Sequence, residues 1–422
     1  MTVLDQICLN IIDCEHKTAP IQDSGIPSIR TTDIKGGVID FRGANKVSEE
    51  TYKVWTERLE PQPHDLILAR EAPVGEIGII PKGQRACLGQ RTVLIRPNPD
   101  KVYPHYLLYL MQSRGVQHEM QIRAAGSTVT HLNMCDIREL DLPDLPPLEV
   151  QCQIGDTLAN LDRKIENLRK QNETLEAIAQ TLFKHWFIDF EFPNEDRKPY
   201  KSSGGEMVQS ELGEIPAGWR AIKLGVLVNT INGYSYKGTD LGESDIALVN
   251  LKNFDRNGGF RLDGFKEIIT SNYHDRHLVE PNDLLVAHTD LTQNAEVLGN
   301  PILVQPLSKY SRYVLSMDLV KITSKNSKIN NFYLYYLLSS RFFKQHCIGY
   351  ANGTTVLHLN KSAIPEYKFS MPIDSSTIED FQAVASGVRK RITNNLKQIQ
   401  TLTKTRDVLL PQLMSGKLRI TE

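Results

Sequence analysis

The chain lacks the features of several protein classes. Its 422 residues contain no run of about 18 apolar residues, the length needed to cross a bilayer. Its six cysteines form no CxxC pair, so we expect reduced thiols and not a disulfide scaffold. The opening stretch MTVLDQICLNIIDCEHK has neither a basic start nor a cleavage-site pattern. These absences lead us to expect a cytoplasmic protein without membrane spans.

An excess of charge is also absent. The formal net charge is −1, which argues against a protein that coats nucleic acid without sequence preference. It does not exclude a protein that binds nucleic acid sequence-specifically through local basic patches. One stretch, 381–406, has no acidic residue. It is either a solvated helix face or a surface that meets phosphate or a partner, and its basic residues are Arg389, Lys390, Arg391, Lys397, Lys404 and Arg406.

Common catalytic motifs are missing. The sequence contains no GxxxxGK[ST], GxGxxG, GxSxG or HExxH, and RPNPDK (96–101) differs from the Asn-Pro-Pro-aromatic motif of amino-methyltransferases. Asp65 with Glu76, and Asp283 with Glu296, lack the lysine that would complete a nuclease site. We therefore predict that the chain has no catalytic residue of its own.

What the sequence does contain is a long repeat. GSTVTHLN at 126–133 returns as GTTVLHLN at 353–360, and the ungapped match over 103–133 is identical at 13 of 31 positions. His131 and His358 are matched but lack neighbouring metal ligands, so we assign them to packing or hydrogen bonding and predict no metal site. The period of 227 residues exceeds the roughly 20–50 residues of repeat arrays and indicates a duplicated domain.

Both copies have the same order of parts. Short β-like runs rich in Gly and Pro precede a short helix, the repeated octet, a Pro-containing run and a long helix. We predict an α+β fold with two mixed α/β domains. In the long helices, apolar residues recur at alternate spacings of 3 and 4, the average of 3.5 that is typical of a coiled-coil seam.

Two segments between the copies have particular compositions. The polar stretch 192–219, with Gly204 and Gly205 adjacent, is predicted to be a linker. The stretch FKHWFIDFEF (183–192) is the strongest aromatic concentration. It either seats the helix end against the next domain or docks a partner protein, since aromatic residues are enriched in interface cores.

These segments together carry a family resemblance. The order of variable domain and long helix is repeated. This order is accompanied by the two octets and by two further segments, LPPLEVQCQIGDTLANLDRKIENLRKQNETLEAIAQTLFKHWFIDFE and LGEIPAGWRAIKLG. The chain resembles the specificity subunit of a type I restriction-modification enzyme along essentially its whole length. The resemblance implies that each variable segment is a target-recognition domain reading half of a split DNA site.

The resemblance also implies the partners. The long helices form an antiparallel pair that carries two modification subunits, which bind S-adenosylmethionine and methylate adenine. A restriction subunit supplies ATP- and Mg²⁺-dependent translocation and cleavage, and the specificity subunit needs no cofactor. The expected parts are recognition domain 1 (1–148), a central helix (149–192), a linker (193–215), recognition domain 2 (216–374) and a C-terminal helix (375–422). The alternative is a tandem coiled-coil scaffold that binds only proteins.

Candidate DNA-binding residues follow from the chemistry of readout. Arginine pairs with guanine and Asn or Gln with adenine in the major groove, whereas hydroxyls hold phosphates. The candidate base readers are Arg30, Arg70, Gln90 and Arg91 in copy one, and Tyr234, Lys237, Asn250, Lys252, His288 and Arg312 in copy two. The octet hydroxyls contact phosphate or support the reader; they are Ser127, Thr128, Thr354 and Thr355.

The seam also predicts a register. In an antiparallel pair, the numbers of facing residues have a constant sum, and a sum of 567 gives every seam position a seam partner. This register places Asn172 opposite Asn395. A slip of one heptad would leave both amides facing aliphatic residues, at a cost of about 1–3 kcal/mol each.

Overall fold

The computed structural model describes residues 2–124, 130–256 and 258–420. It divides into two compact units, Met1–Leu168 with Lys397–Glu422, and Arg169–Leu396. Within the described ranges, every helix is too short or too polar to cross a bilayer.

The first unit contains the strands and helices of copy one. Its strands are β1 Thr2–Val3, β2 Cys8–Asp13, β3 Ile26–Ile29, β4 Ile34–Lys35, β5 Val38–Ile39, β6 Asn45–Val47, β7 Leu66–Ala69, β8 Ile77–Ile79, β9 Cys87–Leu88, β10 Thr92–Pro97 and β11 Asp141–Leu142. Its helices are α1 Glu49–Trp55, α2 Pro104–Gln112, α3 Arg114–Ala124, α4 Met134–Arg138 and the first half of α5 Leu148–Phe187.

The second unit contains the corresponding elements of copy two. Its strands are β12 Met207–Ser210, β13 Gly213–Pro216, β14 Trp219–Lys223, β15 Val228–Asn232, β16 Ile246–Val249, β17 Lys266–Glu267, β18 Leu284–Ala287, β19 Thr289–Asp290, β20 Pro301–Leu303, β21 Arg312–Leu315, β22 Leu319–Ser324, β23 Ala351–Asn352, β24 Leu357–Leu359 and β25 Lys368–Pro372. Its helices are α6 Asn331–Leu338, α7 Arg341–Gly349, α8 Ala363–Glu366 and the first part of α9 Ser376–Met414.

The sheets confirm the duplication. Copy one has a four-stranded antiparallel sheet in the order β2-β10-β7-β8, and copy two has β15-β22-β18-β20. A second sheet has the order β6-β3-β9 in one copy and β17-β16-β21 in the other, with one parallel and one antiparallel pair in each. The predicted α+β fold is therefore present in both copies.

One of the two inner strands of each larger sheet is buried on both faces. All four residues of β7 and all four of β18 are buried, which explains their continuous apolar sequences. Tyr109 and Tyr336, matched in the repeat, are 2% and 1% exposed in the two cores. The buried strand holds the backbone of the following residue in place, and in each copy this residue is the first residue of the candidate site.

The long helices pair antiparallel within each unit. In the first unit, Ile165 and Leu168 of α5 cluster with Ile399 and Leu402 of α9. In the second unit, the Asn395 Nδ2 donates to the Asn172 Oδ1 at 2.9 Å. Both sets of contacts are those of the register with the sum of 567.

Ion pairs flank the apolar layers of the helix pair. The Arg406 Nη1 donates to the Asp162 Oδ1 at 2.7 Å in the first unit, and the Arg389 Nη1 donates to the Glu176 Oε2 at 2.9 Å in the second. Two of the six basic residues in the one-sided stretch thus bind acidic residues of the other helix. For these two, the expectation of a solvated face, or of a surface that meets phosphate or a partner, was wrong.

The aromatic stretch at the end of α5 enters the second core. Phe183 and Phe187 are 2% and 5% exposed, and Phe187 contacts Phe381 with ring centroids 5.4 Å apart. Of the two interpretations of this stretch, the seating of the helix end is the one that the structure contains. Burial of these rings leaves little of their surface for another protein.

The segment expected to be a linker is folded. Strands β12 and β13 form a hairpin within it, paired from Met207 with Pro216 to Ser210 with Gly213. The Phe192 ring stacks on Tyr200 and Trp219, with centroid distances of 4.6 and 5.1 Å. The polar composition did not indicate this arrangement, because the three aromatic residues are far apart in sequence: Tyr200 follows Phe192 by eight positions, and Trp219 follows Tyr200 by nineteen.

Candidate DNA interface

In each copy, three loops meet directly after the buried inner strand, and we call this arrangement the loop crossing. The Arg70 N–H donates to the Arg91 carbonyl at 3.0 Å, and the Leu132 N–H donates to the Arg70 carbonyl at 2.9 Å. Backbone hydrogen bonds thus join the strand end, the turn before β10 and the octet. This arrangement places three loops of copy one at the same edge.

The crossing recurs in copy two with the same hydrogen bonds. The His288 N–H donates to the Asp318 carbonyl at 2.8 Å, and the Leu359 N–H donates to the His288 carbonyl at 2.8 Å. Arg70 is therefore equivalent to His288, and Arg91 to Asp318. The backbone frame is duplicated, but the side chains that it carries differ.

Copy one has an open cleft beside this crossing. The cleft has a volume of about 290 Å³ and contains three predicted base readers, Arg30, Gln90 and Arg91. Its other lining residues were missed by the sequence; they are Lys17, Thr18, Ala19, Ile21, Ser28, Thr31, Thr32, Asn45, Val47, Trp55 and Gly89. Side chains with donors, acceptors and one large aromatic ring make the cleft suitable for hydrogen bonding to a polar ligand.

Arg30 is oriented by a carboxylate. Its Nε and Nη2 donate to the two oxygens of Asp33 at 3.0 and 2.8 Å, and its side chain is 41% exposed. The hydrogen bond with Asp33 raises the pKa of Arg30 above its ordinary value. One edge of the guanidinium is used in this contact, and the Nη1 edge is left to make a paired contact elsewhere.

Gln90 and Arg91 lie on the turn before β10. The Gln90 Nε2 donates to the Thr18 Oγ1 at 3.0 Å, and Arg91 has a positive φ of 66°. The Arg91 Nε lies 3.3 Å from the Glu71 Oε1, yet the Arg91 side chain remains 56% exposed. Both side chains are therefore held by a single contact and face solvent.

Arg70 was predicted to read bases, and the structure gives it a framework contact. Its Nη1 binds the Asp13 Oδ2 at 2.7 Å, and its side chain is only 17% exposed. The ion pair ties the end of β7 to β2. Asp65 is likewise used by the framework, because Arg96 holds both of its oxygens at 2.9 and 2.7 Å.

In copy two, Asn250 is also a framework residue, which corrects its assignment as a base reader. It is 4% exposed, and its Nδ2 donates to the carbonyls of Leu248 and Gly264 at 3.1 and 2.9 Å. Its Oδ1 accepts from the Lys252 N–H at 3.0 Å. The amide stabilises the turn after β16 and has no group left for a base.

Other candidates of copy two remain accessible. Lys237, Lys252 and Arg312 are exposed. Tyr234 is half-buried, and its hydroxyl donates to the Asp240 Oδ2 at 3.3 Å. The Lys237 backbone N–H donates to the same oxygen at 2.8 Å.

Two further residues of this region were not found from the sequence. The Lys266 Nζ donates to the Tyr236 hydroxyl at 3.0 Å and lies 5.2 Å from the centre of its ring. Thirty residues separate them, so only the folded chain brings them together.

His288 differs from the other candidates. It is half-buried, and burial, with smaller contributions from His358 and Lys361, lowers its pKa. The neutral imidazole is thus the favoured form near neutral pH. Its ring retains one donor and one acceptor, whereas a protonated ring would attract phosphate.

The octets are only partly described. Ser127 and Thr128 lie outside the described residues, which omit 125–129. In copy two, Thr354 and Thr355 are exposed beside Gly353, whose φ of 114° defines the turn.

The octet asparagines stabilise local structure in both copies. The Asn133 Nδ2 donates to the Asp136 Oδ2 at 2.9 Å, and the Asn360 Oδ1 accepts from the Ser362 N–H at 3.0 Å. The end of the octet thus supports the fold. For the octet hydroxyls, phosphate contact and support of the reader both stay predictions.

The acidic pairs considered for catalysis are separate ion pairs in copy two. Lys321 lies 2.5 Å from Asp283, and Arg256 lies 3.0 Å from Glu296. The expectation that no lysine reaches Asp283 was wrong, because β22 brings Lys321 to it from 38 residues away. Across the described ranges, no three His, Cys, Asp or Glu side chains are grouped to hold a metal ion.

Comparison with known proteins agrees with these features. A family model described as the type I restriction modification DNA specificity domain matches residues 17–177 and 249–404, one segment in each copy. The matched segments cover well over half of the chain. The scaffold alternative, in which the chain binds proteins without reading DNA, is therefore not favoured.

Individual relatives extend over most of the chain. It is 28% identical over 386 residues to the type I restriction enzyme MjaIX specificity subunit of Methanocaldococcus jannaschii, covering 90% of this chain and 83% of that protein. It is 26% identical over 381 residues to the HindI specificity subunit of Haemophilus influenzae, covering 77% and 80%.

The fold has a solved counterpart. The crystal structure of a type I restriction-modification system S subunit from M. genitalium matches with a TM-score of 0.58 and 15% identity, covering 98% of this chain and 95% of that one. Together with the duplicated crossings and the family model, these findings show that the chain belongs to the type I restriction-modification DNA specificity family.

Proposed function

We propose that the chain is a specificity subunit that reads a bipartite DNA target and directs adenine methylation and restriction by partner subunits. The observation that carries the proposal is the pair of equivalent loop crossings with different side chains. Arg91 and Asp318 occupy the same backbone position in the two copies. A shared frame with different polar groups is what two readers of unlike half-sites require.

The chain's part in the reaction is recognition. Arg30, Gln90 and Arg91 read the first half-site, and Tyr234, Lys237, Lys252 and Arg312 contact the second. Thr354 and Thr355 hold phosphate and set the register of the protein on the duplex. Two readers that use the major groove from one side would contact it about one helical turn apart, roughly 34–36 Å.

The chemistry belongs to the partners in this proposal. Two modification subunits bind S-adenosylmethionine and transfer its methyl group to adenine, and a restriction subunit uses ATP and Mg²⁺. The long helices α5 and α9 offer those subunits a binding surface. The chain itself needs no cofactor, and it would work in the cytoplasm, where such a complex meets DNA.

The test combines two measurements on the purified chain. Labelled methyl transfer is measured for the chain alone, for a modification subunit alone and for their complex, and methylated adenines are then mapped on a random DNA pool. We expect transfer to specific sites only from the complex, at two short, non-identical blocks around an unread spacer. Transfer by the chain alone, one continuous block or a perfect palindrome would contradict the proposal.

A further inference from the structure

The two long helices carry opposite charges at a duplicated position. The offset of 227 residues equates Asp162 of α5 with Arg389 of α9, and it also equates the ends of the helices, Phe187 and Met414. Asp162 binds Arg406 of the other helix at 2.7 Å. In copy two, the equivalent residue Arg389 is basic, and its partner on the other helix, Glu176, is acidic.

These ion pairs are shielded from water. The Arg389 and Glu176 side chains are 6% and 22% exposed, and those of Asp162 and Arg406 are 21% and 24% exposed. Asp162 also accepts from the Tyr109 hydroxyl at 2.6 Å. Partly buried charges are screened less than surface charges, so a mismatch at these positions is costly.

The apolar layers do not distinguish an α5–α9 pair from a pair of two identical helices. In the observed register, Ile165 faces Leu402. If two α5 helices from two copies of the chain paired in the same way, Ile165 would face Leu175 and Leu158 would face Leu182. Two α9 helices would likewise place Ile392 opposite Leu402. In these layers, both arrangements pair aliphatic side chains with aliphatic side chains.

The polar layers do discriminate. Two paired α5 helices would bring Asp162 beside Glu176 and would place Asn172 opposite Leu168. Both charges would be negative, and the amide would lose the hydrogen bond that it makes within the chain.

The same mismatch arises between two α9 helices. Such a pair would bring Arg389 beside Arg406 and would place Asn395 opposite Ile399. Both charges would be positive, and the buried amide of Asn395 would lose the hydrogen bond that it makes to Asn172.

We infer that these polar residues make α5 selective for α9 and exclude the pairing of either helix with the same helix of a second copy. The residues are Asp162, Asn172, Glu176, Arg389, Asn395 and Arg406. With this selectivity, each helix pair combines one copy-one domain with one copy-two domain. This inference does not depend on DNA binding.

The first test exchanges the charges of one ion pair. Glu176→Arg with Arg389→Glu keeps an ion pair within the chain, but it gives each helix one acid and one base at the two positions. The charges of each helix then complement those of a second copy of the same helix. We expect self-association of the refolded full chain, with a dimer dissociation constant at least about tenfold lower than that of the parent, measured by sedimentation equilibrium.

A second exchange makes the test independent of one site. Asp162→Arg with Arg406→Asp also makes each helix self-complementary, and we expect the same self-association. Combining both exchanges gives α5 two bases and α9 two acids, which restores the selection. The fourfold variant should therefore return to the parent's dissociation constant, although it carries more substitutions.

The control is an exposed ion pair outside the helices. Lys223 lies 2.6 Å from Glu366, and Lys223→Glu with Glu366→Lys should leave the association state unchanged. The inference is overturned if neither exchange associates more strongly than the parent, or if the fourfold variant associates as strongly as the twofold ones. Circular dichroism identifies any variant that fails to fold, and the other exchange then decides.

Discussion

Arg91 and Asp318 hold the same backbone position in the two copies but have opposite charges. The Arg91 carbonyl accepts from the Arg70 N–H at 3.0 Å, and the Asp318 carbonyl accepts from the His288 N–H at 2.8 Å. A guanidinium offers only donors and a carboxylate only acceptors, so the two positions favour different base edges. We therefore expect the two half-sites to differ in sequence.

Removing the Arg91 side chain should relax sequence preference in the first half-site. Its guanidinium is more than half exposed, and a paired contact to guanine discriminates against other bases by about 1–3 kcal/mol. Competition binding with single-base variants of the target measures the loss for Arg91→Ala. Lys82→Ala, an exposed charge outside the cleft lining, is the control. Unchanged discrimination by Arg91→Ala would show that Arg91 reads no base.

Removing the octet hydroxyls of copy two should weaken binding to every sequence alike. Thr354 and Thr355 are exposed at the turn, and phosphate contacts carry no direct sequence information. For the double substitution to Ala, we expect equal losses for target and scrambled duplexes in titrations of the full complex. A loss confined to the target would assign these hydroxyls to base reading.

Breaking the asparagine pair should destabilise the helix pair. Asn395 is fully buried, and its Nδ2 donates to Asn172 at 2.9 Å and to Gln171 at only 3.5 Å. Asn172→Leu removes the shorter of these hydrogen bonds, at a cost of about 1–3 kcal/mol in the free energy of unfolding. The double replacement by Leu should recover most of this loss, because no amide is left unpaired. Urea unfolding measures both variants.

An exposed asparagine of the same helix provides the control for that measurement. Asn160→Leu should change the free energy of unfolding by less than about 0.5 kcal/mol. If Asn172→Leu costs no more than Asn160→Leu, the buried hydrogen bond does not stabilise the pair.

Asp290 should make the second unit sensitive to acid. Burial alone would raise its pKa, but hydrogen bonds from Thr292, Val297 and Leu298 prevail and lower the pKa below the ordinary 3.8. The unfolded chain then binds the proton more readily, so this contribution to stability is present above pH 3.8 and is lost as the pH falls towards the folded value. Unfolding measured against pH should lose this dependence in Asp290→Asn but retain it in the exposed-site variant Asp380→Asn.

Sequence patterns predicted the features that depend on spacing. The octet repeat located the duplication, and the alternate spacing of 3 and 4 gave the helix register, including the contact of Asn172 with Asn395. Both rest on regular geometry, because a constant spacing along a helix becomes a constant position on its surface.

Features that depend on long-range contacts were not predicted. Asn250 is a polar loop residue in sequence, but the chain at Gly264 covers it and accepts its hydrogen bond. The copy-one cleft joins Lys17, Trp55 and Gln90 from three separate segments. No periodicity relates such residues, so a base-reading role and a supporting role have the same appearance in the sequence.

The division of α5 and α9 between the units has a consequence for synthesis on the ribosome. Leu158 of α5 and Leu413 of α9 lie in the core of the first unit, although 255 residues separate them. This core is incomplete until the segment Lys397–Glu422 has emerged, so the second unit has its full sequence before the first can close. A nascent chain stopped before Lys397 would expose the apolar seam of the first half of α5, up to Leu168, and exposed apolar surface of this kind is what chaperones and proteases bind.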